Sequence, residues 1–288
     1  MNDERALFLH EVLSPERLTR VVDVGANPLG ATPYSTLLKN RICDVWGFEP
    51  QQDAFARLSE EGGENETYLP YAIGRGGSER LHVCKGSGFT SLFEPNPDFI
   101  RVMGRWPRQM RVEEVVPITT HRLDDLKELP EFDLLKIDVQ GGELDVFRNA
   151  REKLKNAVAV ISEIAMVPLY KGQPLLDSQM SELSAQGFHF HKFLFLKSMA
   201  VKTRASSRLK MRAMRNQAID GDAVFLKRFF ALEDSPTESL KHLAILADAV
   251  FQSPDVALMA LEVLADRDVV KEAELDAYEA LVEAEFSR

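Results

Sequence analysis

The sequence has few cysteines and no long apolar run. Only Cys43 and Cys84 occur among its 288 residues, and two thiols without neighbouring metal ligands suit a reducing compartment better than a disulfide scaffold. No stretch approaches the roughly 18 apolar residues that a membrane span requires. The N-terminal segment is charged at residues 3–5 and lacks the apolar region of a secretory signal. We therefore expect a soluble cytoplasmic protein.

An excess of positive charge is also absent. The chain has 45 acidic and 35 basic residues, a formal net charge of -10, which argues against binding to nucleic acid through phosphate neutralisation. The charge is uneven, because residues 231–288 hold 14 acidic and 4 basic residues while the first 230 are neutral overall. We predict that 231–288 is a separate, acidic helical tail, available for self-association or for a protein partner.

Short apolar segments alternate with amphipathic ones at steps of about 25 residues, which predicts a parallel sheet covered by helices. Residues 1–20 are predicted as an N-terminal helix, 21–230 as one α/β domain and 231–288 as a small all-helical appendage. A helix is expected to follow the fourth strand and to continue through Leu154. The predicted strands cover 20–25, 44–50, 67–74, 133–138, 156–165, 188–196 and 222–228.

Two stretches depart from this alternation. Residues 75–120 are rich in turns and strand-like segments, so we expect extra strands and a loop in place of one helix. Residues 197–217 contain seven basic residues and no acidic one. This second stretch is either a solvated loop or a flap over an anionic substrate.

Ligands of open parallel sheets bind beyond the carboxyl ends of the strands, so the residues after each strand carry the functional prediction. Gly25, after the first strand, permits a tight turn and close approach of a ligand to the backbone. Glu49 ends the second strand, 26 residues after Asp23, where a carboxylate can accept hydrogen bonds from two ribose hydroxyls. The pattern predicts a cofactor that contains a nucleoside.

The glycine pattern of a dinucleotide site is missing. Asn27 and Pro28 stand where Gly-x-Gly-x-x-Gly requires its second glycine and the residue after it. S-adenosylmethionine has no phosphate and needs one close backbone approach plus acceptors for its ammonium group, which Asp23 and loop carbonyls can supply. We therefore favour S-adenosylmethionine over NAD. The predicted cofactor-binding residues are Asp23, Gly25, Ala26, Asn27, Glu49, Pro50, Ala72, Ile73 and Asp138.

The motifs VVDVGAN, GFEPQQDAFARL, YAIG, TSLFEP, RLDDL and LLKIDVQGGELDVFRNA occur in this order. Together they resemble the FkbM family of S-adenosylmethionine-dependent methyltransferases over about residues 21–230. The resemblance implies a Rossmann-like seven-stranded methyltransferase sheet flanked by helices. It also implies methyl transfer to a hydroxyl oxygen, often on sugars, glycans or natural products. The segment ANPLGATPYS is longer than the usual family loop and contains proline.

The resemblance also suggests catalytic residues. Asp138 ends the fourth strand, beside the expected sulfonium methyl group, and is the first candidate for the general base. Glu163, after the fifth strand, is the second candidate. Glu143 lies in the first turn of the following helix, where the helix dipole favours a carboxylate and where it can also contact substrate. The predicted substrate-contacting residues are Thr90, Ser91, Gln140, His189 and His191.

No dense cluster of metal ligands is visible in the sequence, so we expect no resident metal. A divalent cation held by Asp138 and Glu163 is the alternative. Two other functions remain open: an NAD-dependent oxidoreductase on the same sheet, and a noncatalytic protein whose tail binds a partner. The expected acceptor is a small molecule or a glycan.

Overall fold

The computed structural model describes residues 2–26 and 32–286, and a seven-stranded sheet lies at its centre. Within these residues the strands are, in chain order, β1 (Thr19–Val24), β2 (Cys43–Phe48), β3 (Glu66–Leu69), β4 (Ala72–Ile73), β5 (Gly77–Cys84), β6 (Val112–His121), β7 (Leu134–Ile137), β8 (Ala159–Ala165), β9 (Phe188–Met199) and β10 (Gln217–Lys227). The large sheet has the order β3-β2-β1-β7-β8-β10-β9. Strand β10 is antiparallel to both of its neighbours.

Helices precede, connect and follow the strands. They are α1 (Asn2–Leu13), α2 (Ser35–Lys39), α3 (Gln52–Glu61), α4 (Pro97–Met103), α5 (Glu143–Arg148), α6 (Leu176–Ala185), α7 (Thr237–Ala249), α8 (Pro254–Asp266) and α9 (Glu272–Phe286). The predicted fold class is confirmed: a Rossmann-like seven-stranded sheet with helices on its faces and helices at the C-terminal end of the chain. No helix in the described part of the chain is long and apolar enough to cross a membrane.

The apolar central strands are buried on both faces, as covered parallel sheets require. Their register brings the strand ends together, because Val24 pairs with Phe48 and with Ile137. Ile137 in turn pairs with Ser162 of β8. The residues that follow these positions therefore meet at one edge of the sheet, which we call the carboxyl edge.

The stretch 75–120 contributes to a second, three-stranded sheet of order β4-β6-β5. One prediction fails here, because the expected third strand over 67–74 is two strands in two different sheets. Pro70 separates them: it has no N–H for a ladder hydrogen bond, so the pairing with β2 ends at Leu69. The next strand, β4, pairs with β6 instead.

The C-terminal helices share the core of the sheet. One buried apolar cluster contains Val21 and Leu134 from the sheet. The same cluster contains Leu9 of α1, Leu243 of α7 and Leu261 of α8. The acidic segment is thus not separate in its packing, because it covers the apolar face of the sheet together with α1. The domain limits themselves, and self-association through the tail, stay predictions.

Three element boundaries differ from expectation. The first helix ends at Leu13, because Ser14 has a positive φ of 39° and Pro15 cannot continue a helix. The helix after β7 ends at Arg148 and is followed by a separate 3₁₀ turn before residue 156. Strand β9 continues to Met199, so the basic connection is shorter than 197–217 and covers residues 200–216.

Candidate active site

A pocket lies at the carboxyl edge, between the ends of β1 and β2 and the three-stranded sheet. Its apolar walls include Ile73, Leu81 and Ile118, one from each strand of the small sheet. Leu81 and Ile118 could not be assigned to the site from the sequence, because the pairing that brings β5 and β6 over the pocket joins distant parts of the chain. The lining residues are Val24, Gly25, Phe48, Glu49, Pro50, Gln51, Tyr71, Ala72, Ile73, Leu81, Ser87, Gly88, Thr90, Ser91, Leu92, Ile118, Asp138, Val139 and Gln140.

Gly25 forms the wall of the pocket with its backbone. Its φ is +80°, and a Cβ atom at this position would lie 1.9 Å from the carbonyl oxygen of Asp138. Both Gly25 and Ala26 donate their backbone N–H groups to the carbonyl oxygen of Phe48, at 3.0 and 3.1 Å. Only glycine fits this turn. The next predicted residue, Asn27, lies outside the described residues.

Glu49 is 3% exposed and faces the pocket. Its Oε1 accepts a hydrogen bond from the backbone N–H of Gln51 at 2.8 Å, and the Gln51 side chain also interacts with the carboxylate. Burial raises the pKa of Glu49 above its ordinary value. A buried carboxylate that faces a pocket is suited to accept a hydrogen bond from a ligand hydroxyl.

Asp23 lies beneath the Gly25 turn and is 1% exposed. The hydroxyl of Tyr34 donates to its Oδ2 at 2.6 Å, and the ammonium group of Lys136 lies 3.0 Å from its Oδ1. Asp23 therefore does not offer the free carboxylate that was predicted to accept the cofactor's ammonium group. Instead it is paired with Lys136, which was not among the predicted site residues, although a lysine within an apolar strand is a visible signal in the sequence.

Lys136 is held in its charged form by its surroundings. Burial alone would lower its pKa, but the carboxylates of Asp23 and Asp138 outweigh this effect and raise the pKa. The lysine thus places a fixed positive charge between the Gly25 turn and the acidic residues that follow β7.

Asp138, Glu143 and Glu163 form a compact acidic cluster. One carboxylate oxygen from each lies within 4.8 Å of the others. Burial raises the pKa of Glu143 to about 7, although its Oε1 accepts hydrogen bonds at 3.0 Å from the backbone N–H groups of Val139 and Gly141. Burial and the charge of Asp138 raise the pKa of Glu163 well above its ordinary value. The surroundings of Glu163 therefore favour its protonated form more than water does.

Gln140 connects these acids to the rest of the site. Its Nε2 donates to Oδ1 of Asp138 at 2.8 Å and to both carboxylate oxygens of Glu163 at 3.0 Å. Its Oε1 accepts from the hydroxyl of Tyr170 at 2.8 Å, and its carbonyl oxygen accepts from Oγ of Ser91 at 2.6 Å. The backbone has a φ of +57°, which is unusual for a residue other than glycine and occurs often at functional sites.

The same arrangement bears on the question of a metal. Three carboxylates at this spacing offer the oxygen ligands that Mg²⁺ and Ca²⁺ prefer. However, the Gln140 amide N–H group, which cannot be a cation ligand, points at Asp138 and Glu163 together. As arranged, the cluster is suited to hold a proton, and the expectation of no resident metal stays a prediction.

The predicted substrate-contacting residues fall into two groups. Thr90 and Ser91 line the pocket, and Ser91 is 1% exposed. His189 and His191 lie at the opposite edge of the sheet, so their assignment to the site is wrong. Strand β9 runs parallel to β8 and begins at Phe188, which places its first residues far from the carboxyl edge. His189 contacts the ring of Phe230, and His191 forms a hydrogen bond with a serine that precedes α8.

A comparison with protein families matches residues 23–190 to the methyltransferase FkbM domain. The match covers more than half of the chain, and the protein therefore belongs to the FkbM methyltransferase family. Its strand order, with an antiparallel hairpin at the end of the sheet, agrees with the Rossmann-like methyltransferase fold.

Curated relatives match part of the chain. The 2-O-methyltransferase NoeI of Sinorhizobium fredii is 26% identical over 161 residues, which cover 53% of this chain and 66% of NoeI. The hexuronic acid methyltransferase AglP of Haloferax volcanii is 31% identical over 125 residues, which cover 42% of this chain and 47% of AglP. The matched region thus spans less than two thirds of either relative.

Solved structures of methyltransferases are similar at a lower level. The magnesium protoporphyrin IX methyltransferase ChlM of Synechocystis, solved with bound SAM, has a TM-score of 0.36 and 10% identity, covering 78% of this chain and 79% of that one. The precorrin-6y C5,15-methyltransferase of Geobacter metallireducens also has a TM-score of 0.36, with 12% identity and coverage of 77% and 87%.

Proposed function

We propose that this protein is an S-adenosylmethionine-dependent O-methyltransferase that acts on a hydroxyl group of a sugar or glycan. The observation that carries the proposal is one continuous pocket, which joins the buried carboxylate of Glu49 and the Gly25 turn to Asp138 and Gln140. Membership of the FkbM family supports the reaction class. The names of NoeI and AglP, a 2-O-methyltransferase and a hexuronic acid methyltransferase, support a sugar acceptor.

The described residues fit the proposed cofactor. Glu49 would accept hydrogen bonds from the ribose hydroxyls with its carboxylate. Ile73, Leu81 and Ile118 offer apolar surface to an adenine ring, and Gly25 lets the cofactor approach the backbone. When bound, S-adenosylmethionine supplies an electrophilic methyl group. No phosphate-binding residues are needed for this set of contacts.

Asp138 is the proposed general base. A neutral sugar hydroxyl is a weak nucleophile, so removal of its proton assists attack of the oxygen on the methyl carbon. The carboxylate of Asp138 would accept this proton, and bound S-adenosylmethionine would supply the methyl group. Burial and the neighbouring carboxylate raise the pKa of Glu163, which makes it less suited than Asp138 to accept the proton. The Gln140 amide holds Oδ1 of Asp138 in place.

The remaining wall of the site orients the acceptor. Holding the hydroxyl oxygen in line with the carbon–sulfur bond contributes much of the rate of such a displacement. Gln140 and Tyr170 fix the position of the acidic cluster through hydrogen bonds of 2.8 Å. The short contact between Ser91 and the Gln140 carbonyl keeps this turn against the pocket.

Calorimetry with S-adenosylmethionine and with NAD tests the cofactor. We expect binding of S-adenosylmethionine, and we expect Glu49→Ala to weaken it by about 1–3 kcal/mol because a charged hydrogen bond is lost. Glu64→Ala, a change of an exposed carboxylate, serves as the control. Unchanged affinity in Glu49→Ala would remove this residue from the site, and tight binding of NAD alone would favour the oxidoreductase alternative.

Incubation with labelled S-adenosylmethionine and glycan fractions tests the reaction, with mass spectrometry of the methylated product. A methyl group on a sugar oxygen is the expected result. Cofactor binding without methyl transfer to any glycan fraction would instead favour the noncatalytic alternative.

A further inference from the structure

A basic surface flanks the candidate site, although the chain as a whole is acidic. It consists of residues 101–111 and 200–216, which contain basic residues and no acidic residue. The two segments pack together, since the backbone N–H of Lys202 donates to the Val102 carbonyl at 3.0 Å and the Lys202 side chain lies against Gly104.

Most cations of this surface have no partner. Arg101 pairs with Asp98 and Arg111 pairs with Glu113. Eight others are exposed and form no ion pair or side-chain hydrogen bond among the described residues. They are Arg105, Arg108, Lys202, Arg204, Arg208, Lys210, Arg212 and Arg215.

Apolar side chains are interleaved with these cations. Val102, Val201, Leu209 and Met214 are 43%, 43%, 45% and 44% exposed. A mostly apolar groove runs between the segments, with Val102 and Val201 in its walls beside Phe99 of α4. Cations alone suit any polyanion, but exposed apolar side chains gain free energy only when a partner removes them from water.

We propose that the basic surface docks the protein on an anionic phospholipid bilayer. The cations are attracted to the lipid headgroups, and the apolar side chains enter the boundary between headgroups and acyl chains. Because the rest of the chain carries a net negative charge, an anionic bilayer attracts this surface and repels the others. Docking itself does not depend on the proposed reaction, whereas its consequence for the acceptor rests on the proposed function.

The docked orientation places the candidate site near the bilayer. Trp106 of the basic surface contacts Phe89, with ring centroids 5.3 Å apart and ring planes inclined at 46°. The carbonyl oxygen of Phe89 lies 3.3 Å from the hydroxyl of Tyr170, which donates to Gln140. An acceptor carried on a lipid anchor would therefore reach the site from the bilayer.

Sedimentation with vesicles tests the proposal. The full chain is mixed with vesicles of phosphatidylcholine alone, or with 30% phosphatidylglycerol added, at low and at physiological salt (roughly 0.15 M). We expect binding to the anionic vesicles only, weakened by salt. Absence of binding to anionic vesicles at low salt would overturn the proposal.

Two pairs of variants separate the electrostatic and apolar contributions. Arg208→Gln with Lys210→Gln should lower the partition coefficient about 25-fold, since each cation near the surface contributes about fivefold. The control replaces Arg57 and Lys127, two exposed cations outside the basic surface, by glutamine and should retain most of the binding. An equal loss in the control pair would contradict a localised surface.

Leu209→Gln with Met214→Gln should lower partition about 10-fold or more at unchanged charge. Leu7→Gln, at an equally exposed leucine (44%) on α1, should have no effect. Wild-type partition in the Leu209/Met214 variant, together with displacement of the protein from vesicles by a single-stranded oligonucleotide, would identify a polyanion site and overturn membrane docking.

Discussion

Buried charged groups are arranged differently in two regions: the layer formed by α1, α7, α8 and α9, which we call the helical layer, and the candidate site. In the helical layer, Arg5 of α1 is 4% exposed and its Nε and Nη2 atoms donate to the Asp248 carboxylate of α7 at 2.9–3.0 Å. Arg5 also pairs with Glu285 of α9. In the candidate site, by contrast, Asp138 and Glu163 are two like groups in one small space.

These arrangements have different consequences. Hydrogen bonds to Asp248 raise the pKa of Arg5 further above its already high value. The Arg5 guanidinium therefore stays charged although it is buried. Burial raises the pKa of Glu143 to about 7, and burial with the charge of Asp138 raises that of Glu163 well above the ordinary range. The helical network fixes α1 against α7, whereas burial in the candidate site favours the protonated forms of Glu143 and Glu163.

Asp138→Asn should have the largest effect of any single change on function and little effect on the helical layer. Loss of a general base lowers turnover by about 10²- to 10⁴-fold, and kcat with a methylated glycan as product measures it. Affinity for S-adenosylmethionine should change less than turnover. Asp53→Asn, at an exposed residue of α3, is the control, and wild-type turnover in Asp138→Asn would dismiss the role of the base.

Arg5→Met should have the converse effect, on stability alone. It leaves the Asp248 carboxylate buried without its cation, which costs about 3–5 kcal/mol of unfolding free energy. Urea denaturation measures the change. The matched control is Arg101→Met, because Arg101 pairs with Asp98 on the surface and an exposed pair contributes about 0–1 kcal/mol. Equal losses in the two variants would contradict a special role for the buried network.

The sheet could be predicted because its signals are local. Apolar strands, helical spacing and the glycine after β1 define each element, and parallel strands necessarily bring their carboxyl ends to one edge. This logic places Gly25, Glu49 and Asp138 around one pocket. The direction of a strand matters equally: His189 lies on a correctly predicted strand, but at the beginning of it and thus at the opposite edge.

The electrostatic details of the site could not be predicted in the same way. The sequence around Gln140 does not indicate that this residue has a left-handed backbone, or that its side-chain amide donates to both Asp138 and Glu163. Both features form where Gln140 contacts Tyr170 and Ser91, which come from distant segments of the chain. The pairing of Asp23 with Lys136 likewise joins two strands. The charge composition predicted that the acidic tail is a separate unit. In the structure, the apolar side chains of this segment are buried in the same core as those of the sheet.

Glu143→Gln should change how the stability of the protein depends on pH, through the buried carboxyl group of the candidate site. The carboxyl has a pKa of about 7 in the folded protein and an ordinary value near 4.5 when unfolded. Folding therefore favours the protonated form, and the stability from this group is full below pH 4.5 and declines as pH rises through 7. From pH 5 to pH 8 the variant should gain on the order of 2 kcal/mol relative to wild type, measured by urea denaturation. If the unfolding free energies of the variant and the wild type changed with pH in parallel, Glu143 would not be the source of the pH dependence.

The smallest expected effect is that of His242, in the helical layer. Its contribution to stability is lost as pH falls, whereas that of Glu143 is lost as pH rises. This residue of α7 is 1% exposed, its Nδ1 lies 3.1 Å from Oγ1 of Thr19, and burial lowers its pKa although Asp133 is 3.8 Å away. Folding then favours the neutral ring, so its contribution to stability is lost as pH falls through about 6.5, the value of an unfolded histidine. His242→Asn should reduce the loss of stability between pH 7.5 and 5.5, by less than the Glu143 effect. His189→Asn is the control, and an equal change in both variants would mean that the burial of His242 does not cause the acid sensitivity.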